Sequence, residues 1–247
     1  MADWNEPRPG TRSPFGGATI NGDLIGAGAR DEGLRRYMLS IYNYMASGVL
    51  LTGVVALLFA TSGMAAALFG TPLRWLVALA PLGFIMAMSF GLNRMQTGTL
   101  KALFWAFCVV MGMSMSSIFF IYTGSSIALT FFATAGAFAG LSLYGYTTKR
   151  NLSAMGAFMV MGLVGIILAM LLNLFLQSSG LALAISVLGV LIFAGLTAWD
   201  TQRLRETYFQ VHGTDMVQKV IVMGALSLYL DFINLFQYLL SFLGDRR

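Results

Sequence analysis

Residues 154–176 read AMGAFMVMGLVGIILAMLLNLFL, an unbroken apolar run with no charged side chain. A helix of that length crosses about 30 Å of hydrocarbon. The run is one of seven, at 38–61, 74–92, 99–121, 126–146, 154–176, 181–202 and 217–243. The breaks between them are short and carry turn chemistry, for example Ser62-Gly63, Gly70-Thr71-Pro72 and Gln177-Ser178-Ser179-Gly180. A membrane barrel would alternate in segments of about ten residues instead. Composition agrees: 57% of the 247 residues are hydrophobic and only 10% charged, too few to cover a globular surface in water. Mean hydropathy is +0.77. The expected fold is an all-α membrane protein, a bundle of seven transmembrane helices over 38–243.

Residues 1–37 differ in kind. They hold three of the five prolines, many glycines and mixed charge without apolar periodicity, which predicts a disordered tail. No apolar stretch followed by a small-residue cleavage site marks a signal peptide. Twelve of the fifteen lysines and arginines fall on the side of the tail and three on the other. Positive-inside bias therefore puts the N-terminus in the cytoplasm and, with seven spans, the C-terminus outside. A re-entrant last segment would bring both ends inside.

The net charge of +5 is scattered along the edges of apolar runs, which suits lipid headgroups and not nucleic acid. One cysteine, Cys108, and one histidine, His212, leave no material for a disulfide framework, a multi-cysteine cluster or a multi-imidazole metal site. No Walker loop or HExxH motif occurs, and His212 lies in a loop away from any serine in a span. No catalytic residue and no cofactor is expected. The Gly136-Ala137-Phe138-Ala139-Gly140 stretch of the fourth span predicts a close helix contact, as do glycines 156, 162, 165, 189 and 195 in the fifth and sixth. Pro81 should kink the second span.

Against this background Asp231 stands out. It sits within Leu228-Tyr229-Leu230-Asp231-Phe232-Ile233-Asn234-Leu235-Phe236, with apolar helix on either side. A charge at the centre of a span costs about 2.5–3.5 kcal/mol on insertion scales, so such a residue faces a cavity or a partner. Asp200, in Ala198-Trp199-Asp200-Thr201-Gln202-Arg203, ends the sixth span on the side where the seventh begins. Taken alone it reads equally as an interfacial carboxylate paired with Arg203. Together the two acids approach from adjacent antiparallel helices and should titrate as a unit. They form a candidate pH sensor, and a calcium ion, which prefers oxygen ligands, could replace the shared proton. Arg94, at the end of the second span on the same side, can reach either acid as a latch, or else snorkel to headgroups. Asn173, Asn234 and Gln237 add polar atoms to the fifth and seventh spans.

Leu226-Ser227-Leu228-Tyr229-Leu230-Asp231-Phe232-Ile233-Asn234-Leu235-Phe236 resembles the signature of the Bax inhibitor-1 (transmembrane Bax inhibitor motif) family. Trp199-Asp200-Thr201-Gln202 is similar to a second motif of the family, which often has Tyr before the Asp. Thr148-Lys149-Arg150-Asn151-Leu152-Ser153-Ala154-Met155-Gly156 is similar to a third, in which the family commonly carries Asp where this chain has Asn151. The resemblance covers roughly 38–243 and looks like the bacterial branch. It implies a seventh helix central in the bundle and a pH-sensitive calcium leak with a paired-aspartate sensor at Asp200 and Asp231. It also implies an arginine latch on the sixth-span aspartate, for which Arg94 is the natural match. The expected function is a calcium-permeable leak in the inner cell membrane, its partners the lipid bilayer, calcium and protons. Two alternatives stay open: a non-conducting regulator that acts through membrane-protein partners, and a proton-coupled transporter. Intramembrane proteolysis by two aspartates trails them, because its Tyr-Asp and Gly-x-Gly-Asp signatures are absent.

Overall fold

The computed structural model describes the backbone from Ala18 to Arg247 and the side chains from Asp31 onward. Nine helices occur among the described residues: α1 (Ala18–Thr61), α2 (Met64–Phe69), α3 (Leu73–Gly91), α4 (Thr97–Met115), α5 (Ile118–Ile121), α6 (Gly124–Thr147), α7 (Ser153–Leu176), α8 (Ser179–Val211) and α9 (Val217–Leu243). Seven segments are long and apolar enough to cross a membrane: Asp31–Thr61, Leu73–Gly91, Thr97–Ile121, Gly124–Thr147, Ser153–Leu176, Ser179–Val211 and Val217–Leu243. Each contains or closely overlaps one of the seven expected runs, and the third is built from α4 and α5. The last is a continuous helix of 27 residues with no re-entrant break.

The chain divides into two units, Met1–Arg36 and Tyr37–Arg247. In the first, where composition predicts a disordered tail, the described backbone is helical from Ala18 onward. Propagating a helix backward from a formed span avoids the cost of nucleation, and the exposed Glu32–Arg36 pair, one turn apart at 2.5 Å, supports it. Residues 1–17 of the expected tail lie outside the described residues.

In the second unit α9 is the centre. Two thirds of its span (67%) is buried, against 6% to 39% for the other six. It packs on α8, α6 and α4. Its buried residues cover most of its circumference, from Ile221 through Tyr229 and Phe232 to Leu240, as a helix enclosed on several sides requires. Tyr229 is fully buried, edge-on to Phe104 and Phe107 of α4, and its hydroxyl lies 2.7 Å from Thr52 Oγ1 of α1. Thr52 in turn donates to the Cys108 carbonyl, so one hydroxyl pair ties α1, α4 and α9.

The expected small-residue contact in the fourth span is corrected. A Cβ added at Gly136 or Gly140 would meet nothing within 4 Å among the described residues. The buried face of α6 is Thr130, Thr134, Phe138, Ser142 and Gly145, and the two glycines point away from it. The close approach is made instead at Gly145, where any Cβ would strike the Ala198 backbone of α8. Pro81 lies inside α3, which runs as one helix from Leu73 to Gly91.

A buried carboxylate pair in a membrane cleft

The local sequence around Asp200 fixes α8 residue by residue. Trp199 lies against Gly156 of α7, where a Cβ would overlap the indole. Thr201 donates to the Thr197 carbonyl at 2.9 Å, and its hydroxyl lies 3.4 Å from Ser142 Oγ of α6. Gln202 clamps the α6–α7 loop with both ends of its amide: Oε1 accepts from Leu152 N–H and Nε2 donates to the Arg150 carbonyl, each at 2.8 Å. Arg205 donates to the Tyr146 carbonyl. Asn151 accepts from Ser153 N–H at 2.8 Å, a turn-forming task at the start of α7.

Asp200 and Asp231 are both buried, each 5% exposed, and their carboxyl groups lie within hydrogen-bonding reach of each other. Their surroundings differ. Asp200 Oδ1 pairs with Arg203 Nη2 at 2.9 Å, and Asp200 Oδ2 accepts from Ser227 Oγ of α9. Arg203 also donates to Ser227 Oγ at 3.2 Å and lies over the Trp199 ring at 4.7 Å. Asp231 Oδ2, by contrast, has no hydrogen-bond partner among the described residues. A buried polar atom left unpaired is costly, and in a native fold it marks a place for a proton, a water or an ion.

At the position expected for the latch the structure places a different cation. Arg94 is exposed beyond the end of α3, its backbone N–H bonded to the Gly91 carbonyl, and the cation on Asp200 is Arg203. The spacing explains the outcome. Asp200 and Arg203 are three apart on one helix and meet without crossing the bundle. Arg203 was readable from that spacing; Ser227, one turn before Asp231, and Gln202 carried no comparable signal.

Both aspartates open into a cleft of about 790 Å³. Its walls come from α8 and α9, with apolar side chains of α7 and Ile85 of α3 opposite. Asn173, Asn234 and Gln237 line it as well. Among the described residues no group of three or more Asp, Glu, His or Cys side chains converges. A cation resting here would therefore be held by two carboxylates, neutral oxygens and water. Such a set is short of the roughly six to eight oxygens that calcium takes, so water would complete it.

The arrangement defines a seven-helix membrane protein with a carboxylate pair buried beside its central helix. The family model described as Inhibitor of apoptosis-promoting Bax1 matches residues 34–247. An uncharacterized protein of Rickettsia prowazekii, RP147, is 48% identical over 218 residues, covering 88% of this chain and 92% of the relative. An uncharacterized protein of Caulobacter vibrioides is 46% identical over 230 residues, covering 88% and 91%. The inner membrane protein YbhL of Escherichia coli K12 is 43% identical over 219 residues, covering 87% and 94%. The chain belongs to the Bax inhibitor-1 family.

Proposed function

We propose that the protein is a pH-sensitive, calcium-permeable leak channel of the bacterial inner membrane, gated by Asp200 and Asp231. The location follows the similarity to YbhL, and the basic residues orient the N-terminus and the α8–α9 loop to the cytoplasm. One observation carries the reading: two carboxyl groups line one cleft within reach of each other, and one of them has an oxygen with no partner among the described residues. In the state described here Asp200 is held by Arg203 and Ser227, and these two contacts are the closed gate of the proposal. A proton on Asp200 cancels the charge that Arg203 pairs with and loosens both bonds. Release of Ser227 lets α9 shift against α8, and the cation passes Asp231. The protein's part is that of an ion path and its gate, and not of an enzyme.

Purified protein in liposomes, with calcium entry followed at acidic and alkaline pH, tests this. Flux that rises in acid and is altered by Asp231→Asn supports the reading. Folded protein that passes no more calcium than empty liposomes at any pH overturns it and leaves the non-conducting, partner-binding alternative to be tested by capture from membranes.

A further inference from the structure

Beyond Asp231, α9 continues with Asn234, Gln237 and Ser241, steps of three, three and four residues that a helix places in one row. All of them line the same cleft as Asp231. The row opens progressively: Asp231 is buried, Asn234 half-buried, Gln237 and Ser241 exposed. Two hydrogen bonds between side chains of α8 and α9 bracket it. Asp200 meets Ser227 at one end, and Ser186 meets Ser241 at 2.9 Å at the other. The partners are fourteen residues apart on each helix, about 21 Å of rise.

The polar atoms of this row are not used up by the protein. Asn234 Nδ2 donates to the Leu230 carbonyl at 2.8 Å, which leaves its amide oxygen free among the described residues, and the Gln237 amide has no partner there either. Gln237 also borders a second cavity, of about 530 Å³, shared with Ser114, Ser117 and Tyr122. Packing does not call for an amide at these positions, because Leu163, Ile167 and Met170 across the cleft are apolar. At its inner end stands the orphaned Asp231 Oδ2, on a residue more than nine-tenths buried.

We propose that Asn234, Gln237 and Ser241 form the outer vestibule of the ion path, where neutral oxygens replace water shed by a divalent cation on its way to Asp231. Neutral amide and hydroxyl oxygens are suitable ligands for calcium, and several weak ones in series let an ion enter without trapping it. The inference rests on the leak reading for direction and on the row's geometry for place.

Two measurements on the full chain in liposomes test it. First, Asn234→Cys and Gln237→Cys are treated with a membrane-impermeant, thiolate-selective reagent, with and without millimolar calcium. Wild type is the silent background, because Cys108 is fully buried. Phe175→Cys, at an exposed position on α7 away from the cleft, is the lipid-facing control. The vestibule predicts fast labelling at 234 and 237, slowed by calcium, and little at 175. Second, Gln237→Leu should cut calcium flux about tenfold, and Gln237→Glu should restore it and favour calcium over sodium. Labelling at 234 and 237 no faster than at 175 overturns the proposal. So does wild-type flux and selectivity in Gln237→Leu. If wild type conducts nothing while both cysteines label and calcium protects them, the leak reading fails and the vestibule stands as a cation-binding cleft.

Discussion

Arg203 reaches back one turn along α8 to hold Asp200 Oδ1 at 2.9 Å, and the same guanidinium lies over Trp199 and bonds Ser227 of α9. The cation that restrains the buried pair thus belongs to the same helix as the acid. Its side chain is 47% exposed, so screening weakens the pair. Under the proposed gating, Arg203→Gln removes the charge and keeps a hydrogen-bonding amide. Calcium flux at alkaline pH should rise towards the level wild type shows in acid. Arg94→Gln should leave the pH profile unchanged, since Arg94 does not touch Asp200 here. Flux assays of the two variants side by side check this, and a profile moved by Arg94→Gln alone would return the latch to α3.

Asp231 makes the second prediction. Asparagine has nearly the shape of aspartate and can donate to Asp200, so Asp231→Asn should fold and melt close to wild type in detergent. The loss of its charge removes the strongest cation ligand in the middle of the path. Calcium flux should fall by about tenfold or more, the equivalent of some 1.4 kcal/mol in the occupancy of that step. The sign with pH follows from the carboxylate: the wild-type path needs Asp200 released by protons and Asp231 able to meet a cation. The residual flux of Asp231→Asn should then keep its rise in acid, because Asp200 and Arg203 are intact. An Asp200→Asn protein should instead lose the pH dependence and stay open. The pair of pH profiles, measured with melting curves for each variant, separates the two roles.

Gln202 carries a structural prediction. Its amide holds Leu152 N–H and the Arg150 carbonyl of the α6–α7 loop at 2.8 Å each, two residues from Asp200. Truncation in Gln202→Ala leaves a buried backbone N–H unpaired, which costs about 1–3 kcal/mol. Lower stability in denaturant titration, with a loop that protease cuts faster at Lys149 and Arg150, is the expected result. Gln202→Glu keeps the acceptor for Leu152 but turns a buried carboxylate oxygen onto the Arg150 carbonyl, so it should be no more stable than Gln202→Ala.

These residues also show what the sequence can and cannot reveal. Span number was legible because each run must carry its own twenty apolar residues through lipid, whatever its neighbours do. The aspartates were legible for the same reason, as a charge in a span is costly and needs a purpose. Partner choice was another matter. Arg94 and Arg203 both end spans on one side, and only side-chain direction and helix register decide which meets Asp200. Ser227 and Gln202 are ordinary polar residues until the turn they face is known.

The glycines of α6 give the sharpest contrast. Gly-Ala-Phe-Ala-Gly at 136–140 has the spacing of a helix contact, yet spacing carries no information about which way a face points. Gly145 lies on the row with Thr134, Phe138 and Ser142 that meets α8 and α9, and a methyl group there would collide with the Ala198 backbone. Backbone cannot yield as a side chain tip can, so α6 and α8 would have to separate beside Trp199 and Asp200. Gly145→Val should therefore cost more than the roughly 1–3 kcal/mol typical of overpacking, or prevent folding outright. Gly140→Val meets open space and should be within about 0.5 kcal/mol of wild type. Yield of monodisperse protein and melting temperature in detergent read both. A Gly140→Val protein as unstable as Gly145→Val would mean that Gly140 packs against another molecule in the membrane, and would turn that face of α6 into an interface.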